Sequence, residues 1–281
     1  MASSKHRSPL LLGIFAKPGK LGWLLGILPF LICIFSYSHL SKKRLDENPN
    51  DKLTPSWSKM VQKTKSLMTV PDRRTGELVF WDDTKHSLVR LLKGISLAAL
   101  VSIILAILLG LFPAGRELGQ NFVNTLSFIP PVAILPILLV AVGVGETSKV
   151  ALIFIGTFPL MTRDLTLYVQ HIPKEQIIKT MTLGANQWQL VYKVVLPQLL
   201  PKIIETVRLS IGAGWIFLIV AEGIASSEGL GYRIFQARRY MAMDTIIPYV
   251  LWITLLAFLA DTILRLTTNH FFKWYKATSK R

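Results

Sequence analysis

Apolar residues gather along this chain in six long runs, and charged residues fall mostly between them. The runs are Leu21–Tyr37, Leu88–Phe112, Asn121–Val144, Lys149–Tyr168, Leu199–Ala225 and Thr245–Thr267. Each approaches the roughly 20 mostly apolar residues that a helix needs to cross the hydrocarbon of a bilayer. They do not alternate with polar residues as half-buried strands do. The pattern therefore predicts an all-α membrane protein of about six transmembrane helices. Between the first two runs, Trp57, Met60, Val61, Leu67 and Met68 recur near helical spacing, opposite Lys59, Lys63 and Lys65. That predicts an amphipathic helix lying either on the membrane surface or against the rest of the protein. The chain accordingly divides into residues 1–40 (N-terminus and first span), an external charged segment 41–85, a core 86–270 of five spans, and a basic tail 271–281.

Composition agrees: 51% of the 281 residues are hydrophobic and the mean hydropathy is +0.45. The formal charge of +16 excludes little by itself. Nucleic-acid binders carry such charge on a soluble domain, and none is present, so membrane lipid and not nucleic acid is the expected partner. Cys33 is the sole cysteine, which rules out a disulfide within the chain and reads as a filler of the first span. No His, Cys and carboxylate grouping has metal-ligand spacing along the sequence, and no nucleophile–base pair points to catalysis.

Lys5, Arg7, Lys17 and Lys20 precede the first run and the tail is basic, which places both termini in the cytoplasm by the positive-inside rule. The ten Lys and Arg of the external segment run against that count. Together with Arg233, Arg238 and Arg239 they predict an electropositive outer face.

The loop 172–197, between the fourth and fifth runs, carries the most specific pattern. Pro173 suits the first turn of a helix and Glu175 its positive end. Gly184 can take a backbone conformation that stops one short helix and starts another at an angle. Gln187 to Val195 places Trp188, Val191, Tyr192 and Val195 on one apolar face, and Pro197 ends the segment before the next span. Two short helices at an angle make a rigid knob suited to a cleft on another protein.

This loop resembles the EAA motif of ABC-importer permeases, which reads Glu-Ala-Ala, three residues, Gly, nine residues, Ile-x-Leu-Pro. Gly184, Leu196 and Pro197 match and Val194 replaces the isoleucine. The Glu-Ala-Ala positions depart, being Ile178, Lys179 and Thr180, and Glu175 one turn earlier is the candidate substitute for the carboxylate. Gly143-Val144-Gly145-Glu146-Thr147-Ser148-Lys149, the Pro130-Pro131 to Leu135-Pro136 segment and Ser227-Glu228-Gly229-Leu230-Gly231-Tyr232 resemble the nitrate, sulfonate, taurine and bicarbonate branch. The likeness runs from about Asp83 to Leu266.

The resemblance implies a type I ABC-importer permease fold in a bacterial inner membrane. It implies a second copy of the permease, a cytoplasmic ATPase dimer and an external solute-binding protein as partners. It makes Glu175, Leu183, Gly184, Ala185, Asn186, Gln187, Trp188, Leu196 and Pro197 the ATPase-coupling residues. The chain has no Gly-x-x-x-x-Gly-Lys-Ser/Thr loop, so ATP and Mg would be bound by the partner and no cofactor by this chain.

Ionisable residues and prolines at membrane depth are candidates for the solute pathway. They are Pro130, Pro131, Pro136, Arg208 and Glu222, with kinking, snorkelling and helix-end hydrogen bonding as the structural alternatives. Arg208 and Glu222 lie about 21 Å apart along one helix and cannot pair. Asp261 and Arg265, one turn apart, are expected to pair with each other. The resemblance also implies a small anionic or zwitterionic solute as cargo. The rival readings are a multispan enzyme acting on lipid, for which five scattered His are poor material, and a stand-alone carrier, for which no inverted repeat is visible.

Overall fold

The computed structural model describes residues 22–49, 51–71 and 76–275. The basic residues Lys5 to Lys20 and positions 276–281 of the tail lie outside them. All regular elements among the described residues are helical: α1 (Gly22–Glu47), α2 (Trp57–Thr69), α3 (Val79–Leu111), α4 (Pro113–Leu126), α5 (Pro131–Val142), α6 (Glu146–Gln170), α7 (Lys174–Thr182), α8 (Gln187–Leu190), α9 (Leu196–Ala225), α10 (Leu230–Arg239) and α11 (Met243–Phe271). Among these residues four helices are long and apolar enough to cross a membrane, and a fifth span results if α4 and α5 are counted as one. They correspond to the second through sixth runs, and α1 covers the first from residue 22 onward. Phe30, Leu31, Ile32 and Phe35 of α1 are exposed on the single chain, as lipid-facing residues are. The helix is tied down at its far end, where Tyr37 Oη donates to the Pro55 carbonyl and Trp57 Nε1 donates to Ser38 Oγ. Asp51 caps the intervening turn, and the Leu53 N–H that it accepts holds its carboxyl below the usual range.

The third run departs from expectation, because it is not one helix. α4 and α5 meet at 96°. Proline has no N–H and pushes the residue before it out of the helical region, so Pro130-Pro131 must break the ladder. Pro130 is extended at the N-cap of α5 and Pro131 occupies its first turn, where a missing N–H costs nothing.

The centre of the bundle is the pair α3 and α6. Lipid tails are as apolar as leucine, so helices in a membrane associate through close van der Waals contact, which small residues permit. α3 supplies Gly94, Ala98, Ser102, Ala106 and Gly110, every fourth residue on one face and all buried. A Cβ on Gly94 would stand 2.6 Å from Ile153 Cγ2, and one on Gly110 would stand 2.5 Å from Val169 Cγ1. Midway, Thr162 Oγ1 donates to Ser102 Oγ, which donates to the Phe158 carbonyl. α9 and α11 close the core through Ile211, Trp215, Leu218, Tyr249 and Ile253.

The amphipathic α2 lies against α11 and α3. Met60 is buried, and Leu67 and Met68 join the core, while Trp57 and Val61 remain exposed. Of the two placements open from sequence, the apolar face is thus divided between protein and surroundings.

Gly94→Leu and Gly110→Leu should each lower stability by about 1–3 kcal/mol through overpacking, read as a lower thermal midpoint in detergent. Gly212→Leu is the control, since a Cβ there meets nothing within 4 Å, and it should leave the midpoint unchanged or raised.

Candidate functional site

The corner at Gly184 is assembled from a backbone-bonded helix ending followed at once by a side-chain capping box. α7 ends with the Gly184 N–H donating to the Met181 carbonyl and the Ala185 N–H to the Thr180 carbonyl. That is the paired bonding of a Schellman ending, which requires a left-handed residue, and Gly184 has φ +85°. Two residues later Asn186 caps α8: the Gln189 N–H donates to Asn186 Oδ1, and the Asn186 N–H donates to Gln189 Oε1. One helix is stopped and another started within four residues. Ile172 and Leu190 are buried and anchor the corner to the bundle, and Gln198 Nε2 donates to Gln176 Oε1 across its base. Leu183 (79% exposed) and Trp188 (77%) project outward.

Three details differ from expectation. Pro173 is the N-cap of α7 and not its first turn. The helix begun at α8 does not stop at Pro197 but runs unbroken from Gln187 to Ala225. A π-helical turn, Val191–Val195, permits this: the Leu196 N–H reaches back to the Val191 carbonyl, and the register shift accommodates the missing N–H of Pro197. Finally, Trp188 and Tyr192 do not share a buried face with Val195; they are exposed while Leu190 and Val195 are buried.

At the opposite end of α3 lies a buried ion cluster that sequence reading missed. Arg90 is 1% exposed. Its Nε and Nη2 donate to the two Glu146 oxygens at 2.6 and 2.7 Å, its Nη1 donates to Glu222 Oε1 at 2.8 Å, and Nη2 also reaches Glu228 Oε1 at 3.1 Å. Glu222, 0% exposed, accepts further bonds from Ser87 Oγ and the Gly231 N–H. The Gly229 N–H donates to Asp83, whose other oxygen accepts from Arg233 Nε at 2.6 Å. α3 spans about 50 Å at 1.5 Å per residue, well beyond a hydrocarbon core of about 30 Å. Its first charged turns therefore emerge from the apolar layer. Gly229, at φ +112°, must be glycine here for a second reason, since a Cβ would stand 2.5 Å from the Glu222 carboxyl.

The other pathway candidates are spread apart. Arg208 donates to both Asp261 oxygens, at 2.9 and 3.1 Å, so Asp261 binds α11 to α9 and is not paired with Arg265 in the manner expected. Pro130 and Pro136 are exposed on α5. Of the cations counted toward an electropositive face, Arg233 is engaged by Asp83. Beside the cluster, Gly145, Glu146, Lys149, Ser226 and Ser227 help line an open crevice of about 500 Å³.

Residues 98–276 match the family model described as binding-protein-dependent transport system inner membrane component. The chain belongs to this family. Among curated relatives, the taurine transport system permease protein of Escherichia coli K12 is 30% identical over 199 residues, covering 71% of this chain and 72% of that one. A putative ABC transporter permease of Methanocaldococcus jannaschii is 35% identical over 204 residues, covering 72% and 75%. The bicarbonate transport system permease protein of Synechocystis is 30% identical over 203 residues, covering 71% and 72%. An inward-facing methionine ABC transporter shares the fold at a TM-score of 0.56 and 20% identity, over 67% of this chain and 95% of that one. An amino acid ABC transporter crystallised with histidines does so at 0.57 and 14%, over 77% and 99%.

The expected membership in the taurine, sulfonate and bicarbonate branch and the type I importer fold are thereby established, as is a multi-pass inner-membrane location. As an ABC-importer permease the chain is a transport subunit that works with an ATPase and a solute-binding protein. No catalytic function is indicated for it.

In this permease the Arg90 cluster was hidden because its members come from four separate stretches. The available signal was Arg90 itself, which with Lys93 is one of two cations near the start of an otherwise apolar run. Removing one partner of a buried ion pair leaves the others uncompensated, at a cost of about 3–5 kcal/mol. Arg90→Met should therefore lower the thermal midpoint of the detergent-purified protein markedly, and Arg90→Met with Glu222→Met should recover part of the loss. Additive losses in the double variant would show that the two side chains do not form one unit.

Proposed function

We propose that this permease subunit couples ATP hydrolysis by a cytoplasmic ATPase dimer to import of a small anionic or zwitterionic solute, through the corner between α7 and α8. The observation that carries this reading is the Gly184 corner, a stiff backbone construction that presents unpartnered Leu183 and Trp188. Glu175, Ala185, Asn186, Gln187, Leu196 and Pro197 belong to the same unit: they start its first helix, cap its second or set the register of α9. A surface of this shape and chemistry suits a cleft on another protein, and ATP and Mg would be held on that partner.

In this reading loop 172–197 and both termini are cytoplasmic and the Arg90 cluster faces outside, where a solute-binding protein would dock. The exposed apolar residues of α5, among them Ile137 and Val140, suit contact with a second copy of the chain. Pro130, Pro131 and Pro136 would line or shape the pathway on that face. Arg208 and Glu222 would act on it indirectly, by holding α9. The cargo class rests on the names of relatives, which are permeases for taurine, aliphatic sulfonates and bicarbonate.

Gly184→Val should reach the membrane yet fail to couple. A Cβ at this position meets nothing within 4 Å, so the penalty is purely the strain of a β-branched residue at positive φ, and relieving it changes the angle of the corner. In reconstituted vesicles with the ATPase, uptake per ATP hydrolysed should fall at least about tenfold, while Gly184→Asn, tolerant of left-handed backbone, should retain most of it. Normal uptake by the valine variant would remove the corner from the mechanism. For sidedness, Asn186→Cys in a Cys33→Ser background should react with an impermeant maleimide only from the cytoplasmic side, and labelling from outside would reverse the orientation.

A further inference from the structure

We propose that Asp82, His86 and Glu228 form a binding site for a transition-metal dication of the Zn²⁺ class. Their ligand atoms lie within 4.8 Å of one another. His86 Nδ1 stands 3.6 Å from Asp82 Oδ2 and 3.3 Å from Glu228 Oε2. Ligands at about 2.1 Å from a tetrahedral ion are about 3.4 Å apart along each edge, so these two separations already match the edges of a zinc tetrahedron.

A second observation points to a ligand. His86 Nδ1 is sealed from solvent and makes no hydrogen bond, although two carboxylate oxygens lie within 3.6 Å. A buried ring nitrogen that makes no hydrogen bond is costly, and the two carboxylates stand only at ion-pair distances from this one. A metal ion among the three groups would take the nitrogen lone pair and one oxygen from each carboxylate. Glu228 is divided suitably, with Oε1 toward Arg90 and Oε2 toward His86. The side chains are half-buried and not enclosed, which leaves a fourth position open to water.

Electrostatics favour a cation here despite the chain's positive charge. Lys149 Nζ stands 2.7 Å from Glu146, and together with the contacts above, those of Asp82 running through His86, it completes a network of Asp82, Asp83, Glu146, Glu222 and Glu228 with Arg90, Lys149 and Arg233. Five carboxylates against three cations leave a local surplus of two negative charges, the charge of one dication. Asp82 and His86 are one turn apart on α3, and Glu228 comes from the connection between α9 and α10. A bound metal would thus pin that connection to α3. The three residues show no metal-ligand spacing along the sequence because the third lies far away along the chain.

The test is a Zn²⁺ and Co²⁺ titration of the chelator-stripped full chain in detergent, purified without a histidine tag. The expected result is one Zn²⁺ per chain, cobalt absorption of four-coordinate intensity displaced by zinc, and a zinc-induced rise in thermal midpoint. His86→Ala and Asp82→Asn should each weaken binding at least about tenfold and abolish the rise. Asp82 touches none of Arg90's partners directly, so its variant keeps the test valid if His86→Ala is poorly folded. His270→Ala should change nothing. Absence of stoichiometric zinc binding at micromolar concentration, or binding that survives both substitutions, would overturn the site.

Discussion

One guanidinium sets the geometry of one end of this permease. A charge in so dry a place is tolerated only with several hydrogen-bonded partners of opposite sign, since the desolvation cost must be met locally. Arg90 finds its partners on the first turn of α6, the last turns of α9 and the connection that follows. Because Glu146 and Glu222 sit at the ends of long helices, satisfying Arg90 fixes how α3, α6 and α9 are shifted along one another. In this register Gly94 and Gly110 of α3 lie directly against Ile153 and Val169 of α6.

The other end is organised by a different force. Gly184, Asn186 and Gln189 satisfy the orphan backbone groups of two helix ends without any buried charge. The result is an exposed corner whose stiffness comes from hydrogen-bond geometry. α8, the π turn and α9 form one continuous helical path from that corner to Glu222. The two ends are therefore joined by one helix that runs without a break. The Arg208–Asp261 bridge ties the middle of that path to α11.

Much of the fold was legible because span-forming helices leave a coarse signal: each run of apolar residues became a helix or a broken pair. The Gly184 corner was legible for a different reason, since its constraint is backbone torsion and only glycine meets it cheaply. The third run reads as one span whose prolines either line the pathway or kink it, whereas two consecutive residues without N–H groups end the ladder and split it at 96°. Pro197 misled in the opposite direction, because a π turn is a small register change with no sequence signature. Asp261 was assigned to Arg265 by spacing within its own helix, but Arg208 on a neighbouring helix offered two hydrogen bonds at once.

The sequence by itself determined which segments are apolar enough to be helices in a membrane, where backbone geometry demands glycine or proline, and to which family the chain belongs. These are local properties, carried by consecutive residues. Only the tertiary structure decided which charges meet. Asp82, Asp83, His86, Arg90, Glu146, Glu222, Glu228 and Arg233 are spread over about 150 positions of chain, and apart from Asp82 and His86, one helical turn apart, nothing in their spacing pairs them. Helix length and small-residue packing carry them to one end of the bundle, where the low dielectric makes any charge left unpaired expensive.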